Sequence, residues 1–178
     1  MQRSWIWWKL PEPPPYEVTL SDLIEDEPAN VEWHAQKETD RLISLMSKVN
    51  RYKLREAQQA GVRKVGTVYR RTRKDENGGK IQRAEVRFDD VSGCLRTPVG
   101  GSSRQFILIA EGKKVRSRLL SPREAARLMG VPDDYPLPSN YNQAYHLFGD
   151  GLAVPAVAWL NENLLLKLAT YKALVEAA

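Results

Sequence analysis

The side chains with chemistry to offer are arginines. Arg70, Arg71, Arg73, Lys74, Arg83 and Arg87 crowd into eighteen residues, and guanidinium groups at that density suit phosphate, which they bind through charge-assisted, often bidentate hydrogen bonds. Further on, Gly100, Gly101, Ser102 and Ser103 lie between Arg96-Thr97 and Arg104. Paired glycines let backbone amides approach an anion and serine hydroxyls add donors, although the same residues also make an ordinary loop. Other chemistries are poorly served. Cys94 is the single cysteine and follows Gly93, and His34 and His146 stand alone. That pattern points away from a disulfide framework within one chain, from a zinc cluster and from a Ser/His/Asp triad.

Charge is distributed to match. The 178 residues carry a net +5, yet residues 49–88 hold twelve Lys/Arg against four Asp/Glu, while residues 1–48 hold five against nine. A local phosphate-binding surface has this signature, and so does a solvated basic face. An apolar fraction of 42% fits a soluble globular protein. The longest apolar stretch, 152–160, is too short to span a bilayer, and the N-terminus lacks the apolar run of a signal peptide. The expectation is an intracellular, cytoplasmic protein with no membrane and no metal.

Elements that would position the arginines can be read from periodicity. Residues 62–73 alternate with period two, Asn77-Gly78 is a strong hairpin signal, and 81–88 returns as the second strand. Tyr69, Arg71 and Arg73 share one face of the first strand and Arg83, Glu85 and Arg87 one face of the second, and a ribbon with one arginine-lined face can approach a DNA groove. Some of its cations are expected to be solvated or paired with Glu85. Residues 105–110 (QFILIA) read as a buried strand that turns at Glu111-Gly112. Residues 36–60 have a helical pattern with Leu42, Ile43, Leu45, Met46 and Val49 on its apolar face, and Leu54 and Ala57 extend a second segment beyond Asn50 up to Gly61, so a core-facing helix or helix pair is expected. Ahead of it, Ser21 is placed to cap a short turn, after a proline-broken lead-in. Trp5 and Trp7 of that lead-in could stack on bases, or could pack onto the domain or a partner.

Ser121 to Tyr135 (SPREAARLMGVPDDY) is a helix with both ends marked. Ser121 and Glu124 suit a capping box, Pro122 the first helical position and Gly130 a left-handed C-cap. Its two arginines, Arg123 and Arg127, are expected to brace the structure rather than touch DNA. Ser139 or Asn140 can cap a following helix ended by Gly149, and a last helix runs to about Glu176 with apolar residues spaced three and four apart.

SPREAARLMGVPDDY resembles the ninth motif of the DNA cytosine-5 methyltransferases. YNQAYHLFGDGLAVPAVAWL resembles the tenth, and GCLRTPVGGSSRQ the segment closing the target-recognition region. The three blocks occur in the family's order. The resemblance implies an α+β fold in which a small twisted antiparallel sheet carries flanking helices and a C-terminal helix packs on a missing Rossmann-like lobe. It implies a lead-in (1–35), a target-recognition lobe (36–138) and a segment returning to the cofactor lobe (139–178).

For function, the resemblance implies the DNA-recognition half of a restriction–modification enzyme, bacterial or phage, that methylates cytosine at C5 from S-adenosylmethionine. Arg70, Arg71, Arg73, Lys74, Arg83, Arg87, Arg96, Thr97, Gly100, Gly101, Ser102, Ser103 and Arg104 inherit the contact with double-stranded DNA. Gly149, Asp150, Gly151 and Leu152 inherit part of the cofactor site, with Asp150 standing where the family usually has Asn. The family's Pro-Cys nucleophile, Glu-Asn-Val glutamate and glycine-rich first motif have no counterpart here. A second polypeptide bearing the catalytic lobe is therefore expected, without which the chain is inactive. Two alternatives stand beside this: an inactive DNA-binding remnant, and an unrelated basic interaction module.

Overall fold

The computed structural model describes residues 9–15, 17–74, 77–97 and 104–176, with side chains in the last helix described through 171. Trp5, Trp7 and Gly100 to Ser103 lie outside the described residues. The chain divides into residues 18–151 and a second unit formed by residues 1–17 and 152–178. In chain order the elements of the first unit are α1 (Leu20–Leu23), α2 (Gln36–Ser44), α3 (Lys48–Gln59), β1 (Lys64–Lys74), β2 (Lys80–Arg87), β3 (Phe106–Glu111), β4 (Lys114–Leu119), α4 (Pro122–Leu128) and α5 (Tyr141–Asp150). The strands form one antiparallel sheet in the order β2-β1-β3-β4. With helices on both of its faces, this is the expected α+β architecture.

Strand β3 is the hub. Its Phe106, Leu108 and Ala110 enter a core with Leu42, Met46, Leu54 and Ala57 of the α2–α3 layer. Its Ile107 and Ile109 enter a second core with Leu20, Leu120, Ala125, Tyr145 and Phe148. A strand buried on both faces reads as an unbroken apolar run, which is why QFILIA lacks alternation.

Strand β1 behaves differently along its length. From Lys64 to Val68 it pairs with Ala110 to Phe106 of β3, and from Thr67 to Lys74 it pairs with Arg87 to Lys80 of β2. Beyond Val68, among the described residues, β2 alone pairs with it. Burial follows, since residues 65–68 are buried whereas Arg70 to Lys74 are exposed. Gly66 is required by packing: a Cβ there would sit 2.6 Å from the Phe88 ring and 2.8 Å from the Arg87 carbonyl oxygen.

The helical pattern over 36–60 is two helices. The chain leaves helix geometry at Leu45 to touch the sheet, where the Leu45 carbonyl accepts the Ala84 N–H at 3.1 Å and Met46 bridges to Ala84. Ser47 then caps α3. The break shifts the helical phase, so Val49, expected on the apolar face, is 65% exposed. The cap of α1 is Thr19, held by Asp22, whereas the Ser21 hydroxyl donates to Asp90 at 2.7 Å. Asn140 caps α5, which continues through Gly149 to Asp150.

The second unit contains α6 (Val154–Leu160), a π-helical turn (Asn161–Leu165) and α7 (Leu166–Glu176). Asn163 donates to the Trp159 carbonyl across the widened turn at 3.0 Å. Leu152, Val154, Val157, Leu160, Leu165, Leu166 and Tyr171 of this unit are exposed. Among the described residues, no helix is long and apolar enough to cross a membrane.

Candidate nucleic-acid interface

The two-stranded extension of β1 and β2 is where the sequence's cations gather. Its register sets Arg71 opposite Arg83, Arg73 opposite Ile81 and Tyr69 opposite Glu85, so Arg71, Arg73, Arg83 and Glu85 share one face. Like charges directly across a ladder repel, and Glu85 only partly offsets them. That carboxylate pairs with Arg71 at 3.3 Å and Arg73 at 2.5 Å. Arg87, on the same face nearer the core, is held by Asp89 at 2.5 Å, and this partner keeps the Asp89 carboxyl below its usual range. Arg70 projects to the opposite face, its guanidinium 5.0 Å from the centroid of the Phe106 ring. Lys74 shares that opposite face at the exposed tip. The expected ribbon contacts therefore divide between two faces.

Residues 92–97 run across this sheet toward α5. The Tyr69 hydroxyl hydrogen-bonds to the Cys94 carbonyl and to Gln105 Oε1, and burial raises its pKa far above the ordinary tyrosine value, keeping it a neutral donor. Gly93 lies so close to that ring that a Cβ would collide with it. At the far end Thr97 hydrogen-bonds to Asp150. The Arg96–Thr97 backbone rests on Gly149, whose missing side chain leaves the room: a Cβ would be 2.5 Å from Thr97 N. Two residues expected at a cofactor thus hold a segment expected at DNA. Arg96 is exposed beside them. Arg104 lies 5.4 Å over the Tyr141 ring and hydrogen-bonds to Asn142 on α5.

The helix α4 braces this assembly. Arg118 and Glu124 form an ion pair with both side chains fully buried, at 2.6 and 2.8 Å. Glu124 also accepts the Ser121 and Glu25 N–H groups, each at 2.9 Å. Arg127 pairs with Glu25 and Asp133, both at 2.7 Å, and Arg123 donates to the Pro132 and Tyr135 carbonyls. All four charged side chains serve the chain's own architecture.

A family model, the C-5 cytosine-specific DNA methylases, matches residues 8–165. This chain belongs to that family. Among individual relatives, the type II methyltransferase M1.ScrFI of Lactococcus lactis subsp. cremoris is 40% identical over 58 residues, 33% of this chain and 15% of the relative. M.HpaII of Haemophilus parainfluenzae is 45% identical over 51 residues, 29% of this chain and 14% of the relative. M.HhaI of Haemophilus parahaemolyticus is 37% identical over 49 residues, 28% and 15%. The chain thus matches about 15% of the length of these methyltransferases. Family membership also removes the reading of the chain as an unrelated basic module.

Within this chain, sequence reasoning missed two features. One is the buried Arg118–Glu124 pair, which in sequence is indistinguishable from surface charge. The other is a concavity lined by His34, Arg41, Arg70 and Arg104. His34 gave no signal because its partner Ser117, bonded at 2.9 Å to its Nδ1, is eighty-three residues away. Among the described residues, no His/Cys/Asp/Glu group could hold a metal.

Proposed function

We propose that this chain is the DNA-recognition part of a cytosine-5 DNA methyltransferase of the restriction–modification type. In this reading residues 36–138 engage double-stranded DNA, residues 1–35 lead in, and residues 139–178 return to a lobe carrying the cofactor. The observation that supports it best is the ribbon. Arg70 to Lys74 and their β2 partners extend past β3, exposed and cationic, as a slender arm of a kind that a DNA major groove can admit. Its arginines would neutralise phosphates, and the Arg96–Thr97 segment leads into the glycine-serine stretch expected to follow the backbone.

The family methylates with S-adenosylmethionine, supplied as a methyl donor. Gly149 and Asp150, two of the four residues expected at the cofactor, touch Thr97 here, and in this reading the four would supply only part of its site. The sequence also has no Pro-Cys dipeptide. Both the nucleophile and the cofactor site would come from polypeptide outside these 178 residues, a second chain or a further stretch of the same one.

Binding of the chain to a fluorescent duplex at several salt concentrations tests the DNA-binding half of this reading. The observed constant is expected to fall with salt. The triple change R70A/R71A/R73A is expected to flatten the log–log slope by about 0.9 for each phosphate that is no longer neutralised. An unaltered slope would count against the ribbon. Mixing with a polypeptide carrying the catalytic lobe is expected to produce methyl transfer to cytosine. DNA binding without methylation in that mixture would identify an inactive remnant instead.

A further inference from the structure

On the face of the sheet opposite the arginine row lies a concavity of about 330 Å³, between α2 and the start of the ribbon. Three guanidinium groups line it: Arg41 from α2, Arg70 from β1 and Arg104 from the residues ahead of β3. His34 contributes its ring, and Glu38 is the single carboxylate in the lining. Glu38 is already engaged by the backbone, since it accepts the Ala35 N–H at 3.0 Å.

Two of the cations lie over aromatic rings. Arg70 lies over the Phe106 ring and Arg104 over Tyr141 beside Asn142. Among the described residues, Arg104 Nε is buried without a hydrogen-bond partner, and the Arg41 guanidinium makes no ion pair. A buried donor left unmatched is costly, and three guanidiniums around one carboxylate repel one another. An anion with several acceptor oxygens among the three guanidiniums relieves that repulsion, and a phosphate has the fork-matching geometry.

We infer that this concavity is a phosphate site, taking one backbone phosphate of the DNA whose other strand faces the Arg71/Arg73/Arg83 row. The inference rests on the proposed DNA binding and specifies its geometry. A ribbon in the major groove has a phosphate chain on either flank. The sheet supplies cations to both flanks, one row on the ribbon and one pocket where the ribbon joins the body. Arg41 and His34 then become part of the interface although they lie far upstream of the hairpin.

The test compares duplex binding of the full chain with its R41Q, R41K and R71A/R73A variants over a range of salt concentrations. Arg41 is exposed on a helix, so its replacement is expected to leave the thermal midpoint unchanged. R41Q is expected to lower the salt slope by about 0.9 and to weaken binding several-fold at about 0.1 M salt, with R41K restoring much of the slope. A wild-type slope in R41Q, alongside a reduced slope in R71A/R73A, overturns the pocket and leaves the ribbon standing. Inorganic phosphate provides a further arm. If it binds wild type but not R41Q while duplex binding is identical in the two, the pocket serves a free anion and the inference fails. A chain that binds no duplex in any form overturns the functional reading itself.

Discussion

Glu124 ties three parts of the fold together. Its two oxygens accept four hydrogen bonds, from both terminal nitrogens of Arg118 and from the Ser121 and Glu25 backbones. It thereby fastens the strand before it, the helix it caps and the N-terminal segment. Removing one member of a buried pair strands the other as an uncompensated charge, so E124A is expected to lower unfolding stability by about 3–5 kcal/mol in urea titrations. Breaking the exposed Arg87–Asp89 pair should cost less than about 1 kcal/mol in the same assay. His34 offers a pH-dependent counterpart. Burial lowers its pKa, Arg70 lowers it further, and Glu38 opposes them. The folded state therefore binds its proton less readily than the unfolded chain, whose imidazole titrates near about 6.5. Stability associated with neutral His34 is complete above that value and is lost as pH falls toward the depressed folded value. H34Q is expected to flatten this limb of a stability–pH profile, and an unchanged limb would assign it to other groups.

At the scale of elements, the consequential contact is the one between α5 and the segment ahead of β3. Gly149 admits the Thr97 backbone, and a Cβ would come 2.5 Å from its nitrogen and 2.8 Å from the Arg96 carbonyl carbon, both backbone atoms that cannot swing aside. G149A is expected to release residues 92–97. Backbone amides there should exchange faster with solvent while the sheet's remain protected, and duplex affinity should fall. D150N, which keeps an acceptor for the Thr97 hydroxyl, should leave that exchange pattern unchanged. The sequence announced the elements on either side of this contact but not the contact. Alternation over 62–73 and the Asn77-Gly78 turn revealed the hairpin because both signals are local. The end of β1–β3 pairing at Val68, which turns the hairpin into an arm, depends on a register set across about forty residues. The helix pair over 36–60 was legible, but its break falls at Leu45 rather than at Asn50, because a hydrogen bond to Ala84 on another element sets it there. Arg118 and Glu124 were equally hidden, because charged residues either side of a strand–helix turn look solvated until burial is known.

For the whole molecule, the two cores on either side of β3 belong entirely to residues 18–151. Residues 152–176 carry another kind of surface. Leu152 is 77% exposed and Tyr171 69%, and Val157, Leu160, Leu165 and Leu166 add further apolar area. Exposed apolar area of this extent suits a helical segment that a partner covers. The proposed function supplies the cover in the form of the cofactor lobe. In its absence the exposed helix should seek a substitute, so the 178-residue chain is expected to sediment with an apparent mass that rises with concentration. A fragment of residues 18–151, which retains both cores and the buried ion pair, is expected to unfold cooperatively and to sediment as a monomer at every concentration. Substituting Leu160, Leu165 and Leu166 with serine in the full chain should abolish the rise without lowering the thermal midpoint of the sheet. Persistent self-association in the triple variant would move the sticky surface to the sheet or the ribbon and leave the helix without a role in assembly.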